Sequence, residues 1–275
     1  MIKNIILNIE QDASRDGVGE YAISIAEEFE SYLAGVGMAG LDIPTVMMPD
    51  FPANLAEKIL AENEETARQS VKRFEQAATR RGISFEHRLV TRHVAASTLF
   101  STMARRFDLS VIMQTDVDAG IINETLIEAT LFDSGRPIIV VPYFQKEPLK
   151  LEKIVCCWDG SRAATRAIND AIPFLKRAKS TELFIVVNEK TSGDDEIRGV
   201  EMAKHLARHS VHVDIESVPV ADIDVPNAIL SHVADCSANL IVMGGYGHSR
   251  FREFVLGGAT RTILSSMTAP VFMSH

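Results

Sequence analysis

Short apolar runs alternate along the chain with stretches whose apolar residues recur every three or four positions. The runs of the first half include Asn4-Ile5-Ile6-Leu7-Asn8-Ile9, Ser110-Val111-Ile112-Met113 and Pro137-Ile138-Ile139-Val140-Val141. Those of the second half are Lys153-Ile154-Val155-Cys156-Cys157-Trp158, Leu183 to Val187, Leu240-Ile241-Val242-Met243 and Val271-Phe272-Met273. Four to six continuous apolar residues suit a strand buried on both faces. Between them, Ala163, Ala167, Ala171, Phe174 and Leu175 keep helical spacing, as do the surroundings of Met202 and Leu206, of Ile229 and Val233, and of Ile263-Leu264. Val211, Val213 and Ile215 alternate, which predicts a further strand, and a long helix is predicted from about Ala53 to Arg81. Strands that alternate with helices predict parallel sheets covered on both faces.

The pattern occurs twice. The first strand of each half, the run at Ser110–Met113 against Leu240–Met243, and the closing strand after Pro137 and after Pro270 correspond in order. Pro142 to Pro148 reads as a linker, and the period is too long for a solenoid repeat. The expectation is two tandem α/β domains, residues 1–146 and 147–275, each with a five-stranded parallel sheet flanked by helices.

Composition narrows the classes. An apolar fraction of 46% excludes a disordered chain, and no run reaches the roughly 18–20 apolar residues of a membrane span. Met1-Ile2-Lys3-Asn4 leads straight into a strand, with no signal-peptide pattern. Three cysteines, two of them adjacent, imply no disulfide framework and point to a reducing cytoplasm. The net charge of −9 disfavours nucleic acid as a partner.

That acidity is uneven. Residues 1–146 hold 14 basic and 21 acidic side chains, whereas residues 147–275 hold 14 and 16. After Leu240–Met243 comes Gly244-Gly245-Tyr246-Gly247-His248-Ser249-Arg250, followed by Gly257-Gly258-Ala259-Thr260-Arg261. This stretch carries Arg250, Arg252, Arg261 and His248 against a single Glu253. Glycines let backbone N–H groups approach an anion, and a helix opening at Gly257-Gly258 adds a favourable dipole. The segment is neither a Walker A loop nor the dinucleotide fingerprint.

The spacing Gly-x2-Gly-x9-Gly at Gly244, Gly247 and Gly257 resembles the nucleotide-binding signature of the universal stress protein family. Ile154 to Ser161, with its Asp159-Gly160-Ser161 turn, and the closing Ala269-Pro270-Val271 are similar to that family's first and last strands. The resemblance covers residues 151–275 and, more weakly, the first half. It implies two universal-stress-protein-like domains of the adenine nucleotide α-hydrolase type. It also implies that the second binds ATP or a related adenine nucleotide, with Mg alongside the phosphates. Asp159 would receive the adenine or ribose, Val187 would meet the adenine edge through its backbone, and Met243 and Gly244 would line the ribose. Gly247, His248, Gly257, Gly258, Ala259 and Thr260 would wrap the triphosphate. The family usually has Ser or Thr where this chain has Gly258; the missing hydroxyl is worth about 1–2 kcal/mol, so weakened or re-tuned binding is expected.

In the first half, Gln114 to Gly120 replaces the glycine loop, bringing Asp116 and Asp118, and Glu10 stands in place of Asp159. Carboxylates repel a phosphate, so this half is expected to bind no nucleotide and to serve as structural support. Asp116-x-Asp118-x-Gly120 opens like a calcium loop but lacks its later ligands. His205, His209 and His212 have metal-like spacing without an obvious further ligand. Cys156 and Cys157 read as buried inert thiols, and Trp158 as core or as a flank of the nucleotide pocket.

No catalytic set is recognisable. The expectation is a cytoplasmic stress-response regulator, not an enzyme beyond slow incidental ATP hydrolysis. Partners would be an adenine nucleotide, with no nucleic acid and no membrane. The resemblance implies that the short last strands pair, giving an intramolecular pseudo-dimer, with a further homodimer left open. Alternatives are a non-binding member acting through proteins or small ligands, and an enzyme of adenylate chemistry, in which His248 would be the candidate acid or base.

Overall fold

The structure, a computed structural model, describes residues 1–39, 53–91, 96–116, 118, 123–187, 194–219, 224–245 and 258–275. It divides into two compact units: Met1–Arg136 with Tyr143–Pro148, and Pro137–Pro142 with Leu149–His275.

The first unit contains β1 (Asn4–Ile9), α1 (Gly17–Phe29), β2 (Tyr32–Met38), α2 (Ala53–Arg81), β3 (Phe85–Val90), α3 (Ala96–Ala104), β4 (Leu109–Met113) and α4 (Glu124–Asp133). Its strands run parallel in the order β3-β2-β1-β4. The second contains β5 (Ile138–Val141), β6 (Lys153–Cys157), α5 (Arg162–Leu175), β7 (Ser180–Val187), α6 (Asp194–Arg208), β8 (Asp214–Pro219), α7 (Val225–Asp235), β9 (Leu240–Gly244), α8 (Gly258–Ser266) and β10 (Val271–Ser274). Its order is β5-β10-β9-β6-β7-β8, parallel except that β5 runs antiparallel to β10 through Val140–Val271, Ile139–Phe272 and Ile138–Met273. The two closing strands thus pair with each other, and each satisfies backbone groups that a bare sheet edge would leave open.

The central strands are apolar because both faces are covered. Ile5, Ile6 and Leu7 of β1, and Ile154, Val155 and Cys156 of β6, are fully buried. One expected strand differs: β8 begins at Asp214, so Val211 and Val213 precede it. Val211 is nonetheless buried, under α6. Ile215 lies within β8 and is exposed, so the alternation located a strand but placed its start three residues early.

The duplication is visible in hydrogen bonds. In the first unit the Asp108 carboxylate accepts the N–H groups of Lys3 (2.8 Å) and Asn4 (3.0 Å). In the second, the Asn239 side-chain oxygen accepts those of Glu152 and Lys153, both at 3.1 Å. This clamp fixes the register: Leu109 faces Ile5 as Leu240 faces Ile154. The sequence correspondence that matched Ser110 with Leu240 is therefore one residue out, because a uniform apolar run cannot set its own register.

Candidate functional site

In the second unit β6 lies between β9 and β7, and the chain leaves β6 in one direction and returns on its other side. In open α/β sheets ligands bind at such a reversal, beyond the carboxyl ends of the strands. Asp159, Val187 and Gly244 follow or end the three adjacent strands β6, β7 and β9.

The turn after β6 is built by its own sequence. The Asp159 carboxylate accepts the Ser161 N–H (2.9 Å), Gly160 takes a φ of +72°, and the Ser161 hydroxyl caps α5 by accepting the Ala164 N–H (3.1 Å). The positive φ favours glycine because a Cβ is strained there. This cap sets α5 close to the end of β9. A Cβ on Gly244 would stand 2.4 Å from the Ala164 nitrogen and 2.6 Å from the Ala163 carbonyl carbon. Gly244 is required by packing before any ligand is considered.

The next residue, Gly245, donates its N–H to the Ser274 carbonyl (2.9 Å), and its own carbonyl meets His275 Nδ1 at 3.0 Å. Arg166 of α5 donates to the His275 carbonyl oxygen at 3.0 Å. The entry to the glycine segment is thereby anchored to the end of β10. Neither Gly245, His275 nor Arg166 was legible as part of the site, since these contacts join α5 to a strand more than a hundred residues later.

Gly258 opens α8, and a Cβ there would meet nothing within 4 Å. Ala259 is exposed, whereas Thr260 is buried on the same face as Ile263 and Leu264. Met243 is buried in β9 and pairs with Met273, and Val187 is half-buried at the end of β7. Gly247, His248 and Gly257 lie outside the described residues.

Trp158, directly before Asp159, is buried, and its indole N–H has no acceptor among the described residues. Burial pushes the Cys156 thiol far above its ordinary value and that of Cys157 up to about 12. Both stay protonated and unreactive at neutral pH. His205 Nε2 meets the Asn169 side-chain oxygen at 3.0 Å, and its ring meets His209 edge-on. Among the described residues no three His, Cys, Asp or Glu side chains converge on one point.

Residues 150–275 match the model of the universal stress protein family. This half of the chain belongs to the universal stress protein family. A curated relative, universal stress protein Slr1230 of Synechocystis, is 28% identical over 138 residues; the match spans 50% of this chain and 46% of the relative. The chain thus spans about half the length of the curated relative it matches. A universal stress protein of Archaeoglobus fulgidus superposes with a TM-score of 0.73 at 16% identity, over 98% of this chain and 97% of that one. A functionally unknown protein of Pseudomonas aeruginosa superposes with a TM-score of 0.61 at 16% identity, over 98% and 92%. At such identities the likeness establishes the fold, which extends through both units.

The first unit differs from this universal stress protein domain where the site would be. With the clamp's register, Asp116 occupies the position of Gly247, seven residues past Leu109 as Gly247 is past Leu240, and Arg15 occupies that of Ala164. Asp116 is buried and pairs with the Arg15 guanidinium, which also lies 4.9 Å from the centre of the Tyr143 ring. Burial pushes the carboxyl of Glu10, the counterpart of Asp159, above its usual value despite the N–H groups of Gln11 and Asp12. At this position the first unit therefore holds a buried carboxylate paired with its own cation.

Proposed function

We propose that the second unit binds one adenine nucleotide, ATP in the first instance, and that the chain is a ligand-dependent regulator of the cytoplasmic stress response. The observation that carries this is the placement of Asp159, Val187 and Gly244 at the ends of three adjacent strands, with the N-terminus of α8 opening at Gly258. The family match of residues 150–275 and the glycine spacing support the same reading.

Binding would work as follows. Asp159, held by the Ser161 N–H, receives the adenine or ribose hydrogen-bond donors, and the Val187 backbone meets the adenine edge. Met243 and Gly244 form the ribose wall. Gly247, His248, Gly257, Gly258 and Ala259 offer N–H groups to the triphosphate, helped by the dipole of α8. Thr260, turned to the core side of α8, would contribute its backbone. A divalent cation such as Mg would enter with the phosphates and take its ligands chiefly from them.

The protein would not be a dedicated enzyme: among the described residues no nucleophile with an adjacent base accompanies Asp159, Val187 and Gly244. An ATP turnover no faster than background, unaffected by His248→Ala, is the expected result; a His248-dependent turnover would favour adenylate chemistry. Gly258, which lacks the hydroxyl usual in the family, favours a second reading in which regulation proceeds through proteins or other small ligands. Mass spectrometry of nucleotides released from the purified chain separates the two. An adenine nucleotide that is lost in Gly257→Trp supports the first reading, and nucleotide-free protein supports the second.

A further inference from the structure

A groove of about 810 Å³ lies in the first unit between β3 and α3, far in sequence from the residues assigned above. Arg88 of β3 and Arg105 and Arg106, which directly follow α3, line it together with Thr91 and Thr102. Its apolar lining is Leu89, Val90, Leu99 and Met103, of which Met103 is buried and the others half-buried. Among the described residues no carboxylate lines it.

This convergence runs against its surroundings, because residues 1–146 hold 21 acidic side chains to 14 basic. Five arginines elsewhere in the unit are neutralised: Arg15 by Asp116, Arg68 by Glu64, Arg73 by Asp16, Arg80 by Glu20 and Arg81 by Glu27. Arg88 and Arg106 are exposed and make no ion pair among the described residues. Arg105 is oriented, since its Nε donates to the Asp133 carbonyl at the end of α4 (3.0 Å) while its terminal nitrogens are not engaged by that bond. Unpaired guanidinium groups beside one another repel, which an arriving anion relieves by forked hydrogen bonds. The groove's size falls within the range of small-molecule sites, and an apolar wall with a few charged groups is their usual make-up.

We propose that this groove binds a small amphipathic anion, an apolar body carrying a carboxylate or phosphate head. The head sits among Arg88, Arg105 and Arg106, and the body lies on Leu89, Val90, Leu99 and Met103. The site is independent of the nucleotide reading and stands whether or not the second unit binds ATP.

Titration calorimetry of the full chain with octanoate and with octyl phosphate tests it, with inorganic phosphate and propionate as short controls. Saturable binding of either long probe is expected, at least ten times tighter than its short control; the tighter head group identifies the chemistry. Arg88→Glu with Arg106→Glu should weaken it tenfold or more with the melting temperature kept, because neither side chain has an ion-pair partner among the described residues. Leu99→Lys, which leaves every arginine in place, should weaken the long probes alone. Absence of binding at millimolar probe, equal binding of long and short anions, or binding that survives both variants would overturn the proposal.

Discussion

At the scale of single residues, two glycines of the same motif answer to different physics. Gly244 is fixed by the first turn of α5, so Gly244→Ala forces a Cβ against backbone that cannot yield. The expected loss is about 1–3 kcal/mol, read as a lower midpoint for the second unit in denaturant. Gly258 has open space around it. There, Gly258→Ser restores a hydroxyl at the start of α8 and replaces the poorest non-proline helix former. We expect ATP to bind about 5- to 30-fold tighter, matching about 1–2 kcal/mol for a hydrogen bond to a charged group, with no loss of thermal stability. Unchanged affinity in a calorimetric titration would place the phosphates away from α8. The motif spacing was readable in the sequence, but the difference between the two glycines was not. It depends on α5 abutting β9, which no residue near Gly244 records. Asp159 and its turn were readable because Asp-Gly-Ser encodes its own hydrogen bonds within three residues.

At the scale of elements, a buried network ties α7 to the sheet. Glu182 of β7 accepts from Lys153 Nζ of β6 (2.8 Å) and meets His232 Nε2 of α7, whose ring stacks on Phe184. Burial alone would raise the Glu182 carboxyl, but the hydrogen bonds and charges of Lys153 and His232 outweigh it and hold the group below its ordinary value. The Lys153 ammonium is raised, chiefly by its hydrogen bond to Glu182. A depressed carboxylate adds stability above its unfolded-state pKa of 4.5 and loses it as pH falls through the folded value. A raised ammonium adds stability below 10.5 and loses it as pH climbs through its folded value. Glu182→Gln should therefore lower the melting temperature most between those limits, and the gap to the natural chain should close as pH falls from 4.5 through the folded value of Glu182. A gap that persists in acid would make Glu182 a packing residue only. Sequence reading missed this network. Its members are separated by up to 79 positions and follow no motif, and only the parallel pairing of β6 with β7 and the return of α7 bring them together.

At the scale of the whole chain, duplication was legible because each half repeats the same order of strands. The register of the repeat was not, since Val111 and Ile112 match apolar residues of β9 at either alignment. The clamps at Asp108 and Asn239 supplied it. Nor did the sequence say that Asp116 would be buried against Arg15, although it did show a carboxylate where the second half has a motif glycine. β5 and β10 were recognisable as short apolar strands, and their antiparallel pairing follows from the need of such strands for a partner. These features together give two copies of one fold that differ in the residues following their strands.

The central claim is accordingly a stoichiometry. Isothermal titration of the full chain with ATP and magnesium should give one site per chain. That site should be abolished by Gly247→Trp and left intact by Asp116→Asn. No heat at millimolar nucleotide, or two sites per chain, would contradict it.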